Sequence, residues 1–127
     1  MRRFVSALAV FVFVWAGPAA GEPTAAQAAS EQPGSEVRFV DRVAEIQESP
    51  AGTLFINFGG RFPAERLTAV IMRQTRSRFP GVENWTGRVV RVRGELTEHR
   101  GFRRVILRER GQIVALGRPP SASRVLD

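Results

Sequence analysis

Arginine and aromatic side chains at strand-like spacing are the residues in this sequence best suited to bind an anion. Arg91 and Arg93 alternate with apolar residues in the run 89–94 (VVRVRG), which predicts that both guanidinium groups face one side of a strand. Guanidinium groups pair bidentately with phosphate, and both they and aromatic rings stack on bases. The candidate binding residues are Arg91, Arg93, Arg103, Phe102, Arg61 and Phe62.

The geometry of this candidate site has one weak point. Phe102 and Arg103 are adjacent, so on a regular strand their side chains point to opposite faces of the sheet. Both contact one ligand only if the end of that strand is irregular. The alternative interpretation is a solvated outer face, whose charges prevent edge-to-edge pairing with other chains.

The sequence offers little for catalysis or metal binding. It contains neither Cys nor Lys, and its one histidine, His99, falls in a predicted turn. Disulfides, Cys-ligated metals and Cys or Lys nucleophiles are therefore excluded. Glu95 and Glu98 would lie on opposite faces of a strand and do not form an acid–base pair. We predict a non-enzymatic protein with no metal and no cofactor.

The positive charge belongs to one part of the chain. The 127 residues carry 19 basic residues, all of them Arg, against 12 acids, for a net charge of +7. Residues 36–116 alone hold 15 Arg and 9 acids, a net charge of +6. This excess favours a polyanionic partner, of which single-stranded nucleic acid is the leading candidate.

Residues 1–21 have the three parts of a secretory signal peptide: two arginines, a 13-residue apolar run (4–16) and a small-residue end. Cleavage after Gly21 and cleavage after Ala28 both fit the small-x-small rule. A membrane anchor is the rival interpretation, but a span needs about 20 apolar residues. We therefore predict an exported protein, periplasmic or extracellular, with no membrane span after cleavage.

Two further segments lack an apolar pattern. Residues 22–35 are rich in Ala, Ser, Pro, Glu and Gln and are predicted to form a disordered linker. Residues 117–127 contain a Pro-Pro pair and are predicted to form a flexible tail.

The stretch between them consists of short β-rich runs separated by Gly and Pro. Strands are predicted over 37–46, 53–58, 88–98, 102–107 and 112–116. The first changes its apolar phase midway, which indicates a bulge or bend. In the strand at 88–98, Gly94 interrupts the inward row, which is typical of a sharp bend in a barrel strand.

Residues 63–79 are ambiguous, because both a helix and a strand over 67–72 followed by a short helix fit their spacing. About five strands with one helix between the third and fourth is the layout of an OB-fold. The predicted fold is therefore all-β with one short helix: a monomeric, five-stranded OB-fold barrel over residues 36–116.

Four runs carry a resemblance to a family: 53–63 (TLFINFGGRFP), 67–71 (LTAVI), 85–94 (WTGRVVRVRG), and the ending formed by Gly101, Val105, Leu107 and Gln112-Ile113. They resemble the second, third, fourth and closing strands of small bacterial OB-fold proteins, exported or nuclease-associated, of the nucleic-acid-binding, tRNA-anticodon-domain-like type. The resemblance implies nucleic-acid binding. It also favours a strand at 67–72, with the helix reduced to 73–79.

Other large side chains are assigned to structure. Phe58, Ile71 and Trp85 are predicted to fill the barrel. Asn57 is predicted to satisfy backbone groups at the end of its strand rather than to contact a ligand.

Three functions remain open at this point. The first is an exported binding module for single-stranded nucleic acid or another polyanion. The second is a cell-envelope module that binds another protein or anionic lipid. The third, a metal-dependent nuclease, lacks the carboxylate set that such a site needs.

Overall fold

The computed structural model describes residues 21–117, which form a short helix and six strands. The elements in chain order are α1 (Ala25–Ala29), β1 (Glu36–Glu48), β2 (Leu54–Phe58), β3 (Leu67–Ile71), β4 (Val89–His99), β5 (Phe102–Leu107) and β6 (Ile113–Leu116). Single 3-10 turns lie at Val82–Asn84 and Arg110–Gln112, and a longer 3-10 helix lies at Arg73–Arg78.

Five strands close into a barrel. Their order is β1–β2–β3–β5–β4, and β4 pairs again with β1. β3 and β5 run parallel, whereas the other pairs in the ring are antiparallel. The sixth strand, β6, pairs with the first part of β4. This is the strand arrangement of an OB-fold, so the predicted fold class is confirmed.

The bend predicted in β1 is present as a bulge. The register between β1 and β2 shifts between Val43 and Glu45. The residues of β1 that face the core therefore change from odd-numbered to even-numbered positions at this point. The first half pairs with β4 and the second with β2. A bulge gives one long strand the curvature that it needs to belong to both sides of a barrel.

The ambiguous segment is a strand followed by a short helix. Every residue of β3 (Leu67–Ile71) is buried, because the strand lies between β2 and β5 and its outer face is covered by neighbouring side chains. The helix that follows, Arg73–Arg78, is a 3-10 helix with no buried residue. Residues 67–71 form a strand despite the helical spacing of their apolar residues, because the strand pairs with a neighbour on each side.

Gly94 lies where β4 changes partners. Residues up to Val92 pair with β6, and residues from Leu96 pair with β5. A Cβ at Gly94 would lie 2.6 Å from Val105 Cγ1 and 3.0 Å from Gln112 Nε2. Only a residue without a side chain lets β5 and the following turn approach β4 so closely.

The barrel interior is apolar. Phe39 and Phe58 meet edge to face at its centre, with ring centroids 5.0 Å apart and planes at 81°. Phe58 and Ile71 are fully buried, as predicted. Trp85 differs, because it is only partly buried and packs at the margin of the core, with the Arg88 guanidinium 5.4 Å from its ring.

The segment 22–35 differs from the predicted disordered linker. Thr24 and Gln27 form a capping box at the start of α1, and Ala25 and Ala28 are buried in the barrel core. The physical reason is that two small methyl groups on one helix face suffice to pack against the barrel, although composition alone gives them little weight.

The predicted signal peptide and C-terminal tail fall almost entirely on residues 1–20 and 118–127, outside the described part of the chain. Within residues 21–117, no helix is long and apolar enough to cross a membrane.

Candidate functional site

A cleft of about 340 Å³ lies on the outer face of the sheet formed by β2, β3 and β5. One wall is the β4–β5 turn, and the other is the β2–β3 connection (59–66). The cleft is lined by Gln47, Phe55, Asn57, Phe62, Glu65, Thr68, His99, Arg100, Phe102 and Arg104.

Strand periodicity places these side chains outside the barrel. In β2, Leu54, Ile56 and Phe58 are buried inside, so the residues between them face outward. In β5, Val105 and Leu107 point inward, so Phe102 and Arg104 face the same way as the outer residues of β2. β3 lies between these two strands and forms the floor.

Aromatic rings form the apolar part of the cleft. Phe62 is 57% exposed and lies beside Phe102, with ring centroids 6.2 Å apart and planes tilted by 31°. Deeper in the cleft, the Arg104 guanidinium lies 5.5 Å from the centre of the Phe55 ring. A guanidinium stacked on a ring in this way is preorganised and keeps its N–H groups free to meet an anion.

A hydrogen-bonded polar layer lies under the rings. Asn57 Oδ1 accepts from Thr68 Oγ1 at 2.8 Å, and Asn57 Nδ2 donates to Glu45 Oε1 at 3.0 Å and to Gln47 Oε1 at 3.4 Å. The predicted role of Asn57, satisfying backbone at the strand end, is therefore wrong. Its partners are side chains of β1 and β3, because outward-facing Asn57 is flanked by both strands.

Glu45 connects this layer to the loop that carries Phe62. Its Oε1 also accepts from the backbone N–H of Phe62 at 2.9 Å, and its Oε2 lies 3.6 Å from Arg61 Nε. The Phe62 N–H and then the Asn57 amide hold the pKa of Glu45 below its usual range, with a smaller contribution from Arg61. The ionised carboxylate thus fixes the position of the exposed ring.

We expect this contact to weaken in acid. A carboxylate with a lowered folded-state pKa stabilises the fold above its unfolded pKa, and this contribution is lost as the pH falls through the folded value. The amide proton of Phe62, followed by NMR, should titrate with a midpoint below the ordinary carboxyl range. Glu45→Gln keeps an acceptor oxygen but has no ionisable group, so this titration should disappear. A midpoint at or above the ordinary range would contradict the assignment.

The structure separates the predicted site residues into two groups. Phe62 and Phe102 line the cleft, and Arg61 lies beside it against Glu45. Arg91 instead lies on β4 between β1 and β6, and Arg93 lies on β4 opposite Arg38 of β1; neither lines the cleft.

Arg91 and Arg103 are held by the N-terminal segment. Arg91 Nη2 donates to Glu22 Oε2 at 2.7 Å, and Arg91 Nε lies 3.1 Å from both carboxylate oxygens. Arg103 Nη1 donates to the backbone oxygen of Glu31 at 2.9 Å. The single arginine–aromatic face that combined Arg91, Arg93 and Arg103 with Phe102 is therefore not present, since residues 102 and 103 do point apart as strand alternation requires.

Sequence reasoning missed Arg100 and Arg104 as neighbours of Phe102 in the cleft. One signal was available, because Phe102 and Arg104 are two residues apart and share a face of β5. The contact between Arg104 and Phe55 could not be predicted from the sequence, because it depends on β3 lying between β2 and β5. Among residues 21–117, no cluster of three or more His, Asp or Glu could hold a metal ion.

Comparisons with known proteins bear on the fold. No protein-family model matches the chain, and no curated protein matches it. Among solved structures, the chain is similar to the crystal structure of the p204 HINb domain, with a TM-score of 0.55 and 16% sequence identity. The similarity covers 77% of this chain and 48% of that chain, so this chain spans about half the length of its neighbour. At this identity the likeness concerns the fold alone, and it agrees with the OB-type barrel.

Proposed function

We propose that the protein is a non-catalytic binding module that holds single-stranded nucleic acid in the cleft on β2, β3 and β5. One observation carries the proposal: the exposed ring of Phe62 stands beside Phe102 at the mouth of a cleft in which Arg104 is stacked on Phe55. Exposed rings beside guanidinium groups match the two parts of a nucleotide chain, its flat bases and its phosphates.

The position of the cleft on the barrel supports this assignment. OB-folds bind oligonucleotides on the face of strands 2 and 3, between the loops that follow strands 1 and 4. Here the same sheet face forms the floor, and the β4–β5 turn contributes His99 and Arg100 to one wall. Bases stacked within a duplex cannot reach such rings, so we expect a preference for single strands.

The charge of the protein supports a polyanion. The net charge is +7, and Arg100 and Arg104 lie in the cleft. Arg61, at its edge, is highly exposed, and its 3.6 Å ion pair with Glu45 leaves most of the guanidinium accessible. A surface ion pair of this kind contributes little, so a phosphate can compete for Arg61.

We further propose that the protein acts outside the cytoplasm, in the periplasm or the extracellular space, on the basis of the predicted signal peptide. No catalytic step is assigned to the cleft.

Fluorescence anisotropy with a labelled oligothymidine tests the proposal. We expect binding that weakens steeply between about 50 mM and 200 mM salt, because neutralised phosphates release counterions. The matched duplex should bind more weakly than the single strand. Phe62→Ala should lower the affinity for the oligonucleotide about 5- to 100-fold, which corresponds to the loss of one base stack. Phe62→Trp keeps an aromatic ring at this position and should retain the affinity.

A charge-matched pair of variants locates the binding face. Arg104→Ala and Arg93→Ala each remove one positive charge, the first inside the cleft and the second outside it, on the part of β4 that pairs with β1. We expect Arg104→Ala to reduce affinity several-fold more than Arg93→Ala. Equal losses of affinity in the two variants would show that binding depends on overall charge and not on the cleft. If the protein bound no oligonucleotide at low salt and instead held a stoichiometric protein partner from the envelope, the protein-interaction alternative would be favoured.

A further inference from the structure

The segment 22–35 is attached to the barrel by backbone hydrogen bonds at both of its ends. Near its start, the Val40 N–H donates to the Pro23 oxygen at 2.9 Å. At its end, the Leu96 N–H donates to the Ser35 oxygen at 2.8 Å, and the Gly34 N–H donates to the Leu96 oxygen at 2.6 Å. These bonds extend the barrel's own hydrogen-bonding network into the segment.

Between these attachments, α1 closes part of the core. It packs on β1 and β3, which are not hydrogen-bonded neighbours, so the helix lies across an opening of the barrel. Ala25 and Ala28 are 0% and 4% exposed. The Ala25 N–H at the start of the helix donates to Asp41 Oδ2 at 2.9 Å, and Thr24 caps the Gln27 N–H.

Glu22 adds an ion pair to the same attachment. Its carboxylate receives two N–H groups of Arg91, the closest at 2.7 Å, and the hydrogen bond from Arg91 holds the pKa of Glu22 below its usual range. The residue before it, Gly21, is exposed, and a Cβ placed there would meet no atom within 4 Å. Within the described residues, the side-chain contacts of the segment with the barrel therefore begin at Glu22.

We propose that the exported chain is processed at the Gly21–Glu22 bond, and that residues 22–35 remain in the mature protein as a plug of the barrel. Of the two candidate bonds named above, the one after Ala28 lies inside α1. Cleavage there would remove Glu22, Ala25 and Ala28 together. Cleavage after Gly21 keeps every contact described above. The proposal rests on the export proposed above and does not depend on nucleic-acid binding.

The first test measures the intact mass of the protein after the host has processed it. The full chain is expressed in a bacterial host with an intact secretion pathway, and the intact mass of the protein in the periplasm or medium is measured. We expect the mass of residues 22–127. A chain that starts at Ala29 would overturn both the processing site and the retained plug but not the export, whereas an uncleaved chain retained in the cytoplasm would overturn the proposed export as well. Neither result bears on oligonucleotide binding.

The second test concerns the plug. Chains 22–127 and 29–127 are compared by thermal unfolding, and we expect the shorter chain to unfold at a lower temperature or to fail to fold. In case the shorter chain does not fold at all, a point variant tests the same packing in chain 22–127. Ala28→Asp places a charge in the core, and Gln32→Asp, at an exposed position of the same segment, is its control. A buried unpaired carboxylate should lower Tm by about 10 °C or more, whereas the control should shift it little. Equal Tm values for Ala28→Asp and the control would overturn the plug.

Discussion

Replacement of Phe58 by alanine is expected to lower the free energy of unfolding by about 3–5 kcal/mol, the usual cost of removing a buried ring. Phe58 is 0% exposed and packs edge to face on Phe39 across the barrel. A small domain has only about 5–15 kcal/mol of stability in total, so this single change removes a large share of it. The measurement is denaturant unfolding followed by circular dichroism.

Phe62→Ala is the matched control, because it makes the same substitution on the same strand–loop unit at an exposed ring. Its unfolding free energy should change by less than about 1 kcal/mol, as is usual for exposed positions. The two variants should thus separate stability from binding. If Phe58→Ala does not fold, Phe58→Leu tests the same site with a smaller loss of volume. A similar small effect for both alanine variants would contradict the described core.

Gly94→Ala has the second largest expected effect. The new Cβ would lie 2.6 Å from Val105 Cγ1, and Val105 is fully buried on β5. A branched core side chain cannot move aside easily, so we expect a loss of about 1–3 kcal/mol, typical of overpacking. The midpoint of denaturant unfolding measures this loss.

A double-mutant cycle with Val105→Ala identifies the cause. Val105→Ala alone should destabilise by about 2 kcal/mol, because it deletes buried methyl groups. In the double variant the two changes should partly compensate, with a coupling of at least about 0.5 kcal/mol. Additive losses would show that the cost of Gly94→Ala arises from the backbone and not from this contact.

The elements that the sequence predicted best were those with a local signal. The change of apolar phase in β1 corresponds to its bulge between Val43 and Glu45, and the missing side chain at Gly94 corresponds to the close approach of Val105. β3 had no such signal, because all five of its residues are buried and a continuous apolar run fits a helix as well as a strand. The family resemblance, and not periodicity, favoured the strand.

The candidate site was predicted in part. Phe62 and Phe102 were identified by residue type, but the contact of Arg104 with Phe55 was not, because β2 and β5 are brought together only by β3, which pairs with both of them. Arg91 was assigned to a ligand because its partner, Glu22, belongs to a segment whose composition predicts disorder. Contacts between residues 69 positions apart have no local signature in a single sequence.

The closure of the barrel has a consequence for how the chain folds. Arg38 pairs with Arg93, and Thr68 pairs with Arg104, so the ring cannot close before β4 and β5 have both been synthesised. Barrels dominated by such distant pairings fold in about milliseconds to seconds, because loop closure must precede most of the stabilising contacts. A chain that closes slowly stays unfolded for longer after its synthesis, and the export proposed above requires an unfolded chain. The topology that makes this barrel slow to form is therefore compatible with translocation before folding.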